Sequence, residues 1–124
     1  MRLIKGIHRT STWLVLAIGV IHTLGTFFFY ENLSQAAMWF AGAGLGGIFV
    51  AFLNIFLWQR GCQPLSRKLI SVANALFIAW LTVGFVATPA LQPAIILTIG
   101  GMMTLSGITL ALLEAGAKAG RNTT

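Results

Sequence analysis

The sequence predicts an all-α integral membrane protein, with four transmembrane helices in an up-down-up-down antiparallel bundle. Three observations predict it. Of the 124 residues, 57% are hydrophobic and only 8% are charged, where a soluble domain carries about 25% charged residues. The length accommodates four spans of roughly 20 residues with short connections, in one domain covering residues 1–124. All eight lysines and arginines fall at the N-terminus, in the middle loop or in the C-terminal tail.

The chain begins MRLIKGIHRTST. Arg2, Lys5 and Arg9 recur at helical spacing, with Leu3, Ile4 and Ile7 between them. This reads as a short interfacial segment leading into the first span. A signal peptide is the competing reading, but the following apolar run is longer than an h-region, and no small-residue cleavage site follows it.

The first span is expected over residues 12–30, from Trp13 to the aromatic run Phe27, Phe28, Phe29 and Tyr30. Aromatic residues at both ends suit the two membrane interfaces. Glu31, Asn32, Ser34 and Gln35 form a polar turn. The second span, 36–59, holds WFAGAGLGGIFVAFLN. Glycine weakens a water-exposed helix by about 1 kcal/mol against alanine, but in lipid it lets backbones approach. Gly42 and Gly46 make a GxxxG pair, and Ala43, Gly47 and Ala51 a second small stripe. Arg60, Gly61, Cys62, Pro64, Arg67 and Lys68 make a basic loop broken by Gly and Pro. The third span is expected over 69–88. Pro89 and Pro93 bracket a short connection, and the fourth span covers 94–115, before a basic tail with Lys118 and Arg121.

Basic residues mark the cytoplasmic side, so both termini are expected in the cytoplasm, in the cell's inner membrane. The net charge of +6 flanks apolar segments and forms no stripe. It fits contact with anionic lipid and not nucleic acid. Cys62 is the one cysteine and makes no disulfide or CxxC motif. The chain has no aspartate, and it lacks paired carboxylates, a Walker loop and HExxH. No enzyme activity is expected.

Matching depth across spans at 1.5 Å per residue places His22, Gly44, Trp80 and the Gly100–Gly101 pair in one layer. An ionisable group within the membrane is a functional candidate by default. His22 can serve as an axial haem ligand, a partner for a quinone carbonyl or a proton-coupling group. The alternative is a neutral imidazole bonded to a backbone carbonyl, Thr23 or Thr26. His8 lies four turns earlier, about 21 Å along a helix, so the two histidines cannot share one iron. Met102, Met103 or another subunit would have to supply a second ligand. A second polar layer, Asn54, Asn74 and Thr109, reads as a helix–helix clamp. Glu114 is expected to pair with Arg60, Arg67, Lys68 or Lys118.

The leading expectation is a non-enzymatic protein acting by helix association, as an accessory or scaffold subunit of a membrane complex or as a homo-oligomer. Gly42, Gly46, Gly47, Asn54 and Asn74 are its packing residues. The second expectation is a binding or transfer protein for quinone, haem or lipid, anchored at His22 beside Gly44, Trp80 and Gly101. No cofactor is required by the sequence. A small transporter comes third. In size, span number and inward termini the chain is similar to small multidrug-resistance transporters, but that family's signature glutamate in the first span is replaced here by a span containing His22 and no carboxylate.

Overall fold

The computed structural model describes residues 1–58, 63–87 and 90–121, with the backbone alone at 115 and 117–121. Four helices follow one another: α1 Arg2–Phe29, α2 Gln35–Phe56, α3 Pro64–Ala87 and α4 Leu91–Arg121. All four contain segments long and apolar enough to cross a membrane, and no strand occurs among the described residues. Cys62, Arg60 and Pro89 lie outside the described residues.

The first helix differs from expectation. No interfacial segment separates from the span: α1 runs unbroken for 28 residues, about 42 Å. Nothing in MRLIKGIHRTST breaks a helix. Ser11 and Thr12 instead turn their hydroxyls back onto the His8 carbonyl, at 3.1 and 2.7 Å, which satisfies them without interrupting the backbone ladder. At the other end Tyr30 adopts an extended conformation, and its N–H closes the last turn on Thr26 O. Ser34 then caps α2 by accepting from the Ala37 N–H at 3.2 Å, one of the orphan donors every helix start leaves.

The helices form a ring of neighbours. α1 packs against α2 and α4, α3 packs against α4, and α2 and α3 touch most sparingly. Glycine sets the tightest seam. A Cβ on Gly19 would fall 2.8 Å from the Gly44 carbonyl oxygen, and one on Gly47 would sit 3.7 Å from the Gly19 Cα. The α1 and α2 backbones are thus in direct contact, a closeness only small residues allow. Gly100 fills the same role on α4, where a Cβ would lie 3.0 Å from Leu81 Cδ1.

Each helix contributes to the core of Val15, Val50, Ala51, Phe77 and Met103. The outer surface carries the bulkier apolar residues, Phe28 at 87% exposure among them. Buried positions are instead rich in small and polar groups: His8, Ser11, Thr12, Thr26, Asn54, Asn74, Thr104 and Ser106. Such an arrangement suits lipid, where apolar exteriors cost nothing and interiors hold the polar contacts.

Candidate ligand-binding site

His22 sits midway along the exposed-to-buried edge of α1 and is half-buried. Its ring stacks on Phe40 of α2, with centroids 3.6 Å apart and planes at 23°. Phe40 is held from its other sides by Phe29, edge-on at 6.2 Å, and by Tyr30 at 5.6 Å. These contacts follow from the short 30–34 connection, which brings the aromatic end of α1 beside the start of α2. One residue away, Trp39 stacks on Trp80 of α3 at 5.6 Å and 24°. That pair bridges α2 and α3, the adjacent helices in sparsest contact.

Between the two aromatic pairs lies a cavity of about 480 Å³, within the size range of small-molecule sites. His22, Tyr30, Trp39, Phe40, Trp80 and Gln92 line it. A narrower cleft of about 40 Å³ adjoins it, bordered by Gly44, Gly47, Phe77 and again His22. His22 therefore stands where the two spaces meet.

Its polar atoms are the telling feature. Thr23 donates to the Gly19 carbonyl at 2.8 Å, and Thr26 to the His22 carbonyl at 3.3 Å. Both threonines named in the sequence as partners for the imidazole are occupied by backbone, and no group among the described residues hydrogen-bonds its ring nitrogens. A neutral imidazole always presents one N–H donor and one acceptor.

The other residues of the expected layer divide. Trp80 lines the large cavity and Gly44 the small one. Gly101 lines neither, and a Cβ there would meet nothing within 4 Å; its neighbour Gly100 is the residue turned onto α3. Neither Met102 nor Met103 lines the space around His22. Met103 belongs to the core, and Met102 is 52% exposed.

The packing residues divide as well. Gly47 is spent on the α1 seam, whereas Gly42 and Gly46 have open space where a side chain would stand. Asn54 and Asn74 meet in a buried pair. Thr109 does not join them; it is exposed and bonded to the Leu105 carbonyl of its own helix. Glu114 pairs with Arg67.

A second polar centre, absent from the sequence reading, is built around His8, which is 2% exposed. Its Nδ1 lies 3.1 Å from the Met103 carbonyl and 3.3 Å from Ser106 Oγ. A carbonyl only accepts, so Nδ1 carries the proton and donates it. Trp58 stands edge-on to the ring at 6.2 Å, and a Cβ on Gly107 would fall 3.1 Å from His8 Cε1. The signal for His8 was its spacing: His8, Thr12, Val15 and Gly19 continue one helical face.

Comparison with protein-family models, curated proteins and solved structures finds no match to this chain.

Proposed function

We propose that this chain is a multi-pass protein of the cytoplasmic membrane that binds a planar hydrophobic molecule of the quinone type between the His22–Phe40 and Trp39–Trp80 stacks. Its role is binding or transfer, without catalysis of its own. The observation that carries the reading is the His22 ring: its nitrogens have no hydrogen-bond partner among the described residues, and the ring borders a ligand-sized, aromatic-walled cavity. A flat ring with carbonyl acceptors matches both features, since the indoles and Phe40 offer stacking faces and the imidazole offers one N–H.

The membrane arrangement supports it. Contacts between the start of α1 and the late part of α4, and between the start of α3 and the end of α4, bring the basic segments to one end. Under the positive-inside rule that end faces the cytoplasm, with both termini inside and the helices alternating up and down. The His22 cavity then lies in the outer half of the bilayer.

The test is extraction of the protein in mild detergent, followed by organic extraction and mass spectrometry of what is bound. Stoichiometric quinone that is lost in His22→Ala supports the reading. Haem would announce itself as a Soret band, and an empty cavity in protein from native membranes would overturn the proposal.

A second reading has its own support. At Gly42 and Gly46 a Cβ would meet nothing within 4 Å among the described residues, which leaves a small-residue face. Association through this face, with another subunit or a second copy, fits it. A Gly46→Ile change that dissolves a larger assembly while leaving the monomer folded supports that reading.

A further inference from the structure

At the basic end of the bundle, all four helices or their continuations enclose a second cavity of about 260 Å³. It is smaller than the roughly 300 Å³ at which drug-sized sites begin, and its walls are of a different kind. Lys5 and Arg9 enter it from α1, Arg67 from α3, and Glu114 from α4. Glu114 is the one acidic side chain lining the cavity, and it is engaged by Arg67. Lys5 and Arg9 have no acidic partner among the described residues. The Arg9 guanidinium lies over the Trp58 ring, 5.5 Å from its centroid, and the Trp58 indole N–H is buried without a hydrogen-bond partner among the described residues. Ser71 and Asn74 complete the polar side of the wall. A buried N–H left unsatisfied is costly, while Lys5 and Arg9 are solvent-exposed, so the pocket opens to water where these two like charges stand, and an anion joining them lowers their mutual repulsion.

We infer that this cavity is a binding site for a phosphoryl anion, held by Arg9, Lys5 and the Trp58 N–H. A phosphate offers several strong acceptor oxygens on one charged centre, which suits a guanidinium, an ammonium and an indole donor together. Phosphoryl groups reach this end of the bundle from two sources: the headgroups of anionic lipids, which lie at the depth where the spanning helices end, and soluble phosphate esters of the cytoplasm. The site is separate from the His22 cavity and does not depend on what that cavity holds.

The full chain in detergent is titrated with phosphatidylglycerol, with phosphatidylcholine and with glycerol phosphate, and bound species are counted by native mass spectrometry. One saturable phosphatidylglycerol is expected, with phosphatidylcholine competing more weakly, because its choline cation offsets the charge of its phosphate. Saturable glycerol phosphate without lipid binding equally supports the phosphoryl site and assigns it to the soluble source. Arg9→Gln is expected to weaken binding by about tenfold, as fits loss of a charge-assisted contact, and Trp58→Phe by about fivefold. Lys68→Gln removes the same charge from an exposed position outside the cavity and is expected to leave affinity within about twofold. Equal losses in Arg9→Gln and Lys68→Gln would reduce the effect to general surface charge and overturn the site, as would saturable binding of neither phosphatidylglycerol nor glycerol phosphate. Lys5→Gln replaces Arg9→Gln should the latter fail to fold.

Discussion

Asn54 and Asn74 exchange two hydrogen bonds across α2 and α3. Asn54 Nδ2 donates to Asn74 Oδ1 at 2.7 Å, and Asn74 Nδ2 donates back to Asn54 Oδ1 at 3.0 Å. Asn54 Nδ2 also reaches the Val50 carbonyl at 2.8 Å. Both residues are buried, and the pair joins α2 and α3, the adjacent helices in sparsest contact. It locks the basic half of that interface, as the Trp39–Trp80 stack bridges it further along.

Removing one partner strands the other amide inside the bundle. Asn74→Leu is therefore expected to destabilise the fold by about 1–2 kcal/mol. Asn54→Leu with Asn74→Leu together is expected to recover part of that loss, because two apolar groups leave no amide unpaired. Unfolding in mixed micelles, followed by circular dichroism as a double-mutant cycle, gives the coupling. Additive losses would show that the two amides act separately.

The glycines of α2 are expected to separate by face. Gly44→Ile places a side chain where Gly19 O lies 2.8 Å from the first added carbon, so α1 and α2 must part. Overpacking of this kind costs about 1–3 kcal/mol, or prevents folding. Gly42→Ile, two residues earlier, meets open space and is expected to change monomer stability by no more than about 0.5 kcal/mol. The same micelle unfolding assay reads both. Equal destabilisation would mean that Gly42 also faces a neighbour.

These contrasts mark how much was legible in the sequence. The four spans were, because lipid demands long apolar runs whatever the packing inside. Depth matching brought Asn54 to Asn74 and placed His22 and Trp80 around one cavity. Depth alone does not decide rotation about a helix axis, since one residue turns the face by about 100°: of Gly100 and Gly101 at that depth, Gly100 packs on α3 and Gly101 does not, and Thr109 is exposed, away from the asparagines. His8 was missed for another reason. Charged neighbours made residues 1–12 look like a surface segment, while their buried side is His8, Ser11 and Thr12. In this bundle the inward stripe is polar and small, so a search for apolar periodicity finds the lipid-facing side first.

His8 is expected to matter for stability more than its place near the N-terminus suggests. His8→Ala removes the bond to the Met103 carbonyl, leaves Ser106 without one neighbour, and opens space beside Gly107 and Trp58. A loss of about 1–3 kcal/mol is expected. His8→Asn can present an amide N–H toward the same carbonyl and is expected to recover part of it. Thermal unfolding in detergent separates the two variants. An unchanged midpoint in His8→Ala would mean that α1 and α4 are held by their apolar contacts alone.

The Trp39–Trp80 stack makes a prediction about rates. It is the principal aromatic closure between α2 and α3, and both indoles line the His22 cavity. On the proposed quinone binding, a ligand moving between the cavity and the bilayer is expected to pass between α2 and α3, the neighbouring helices in sparsest contact, with the stack as the bar across that path. Stacked aromatic pairs contribute about 0.5–1.5 kcal/mol beyond their burial, which corresponds to a roughly two- to tenfold change in rate. Trp80→Ala is accordingly expected to accelerate both release and uptake of a quinone by that factor, with a smaller effect on affinity. His22→Ala is expected to weaken affinity through faster release alone. Stopped-flow exchange of quinone, followed by quenching of tryptophan fluorescence, measures both arms. If Trp80→Ala lowers affinity and leaves uptake unchanged, the indole is a wall of the site and the path runs between another pair of helices.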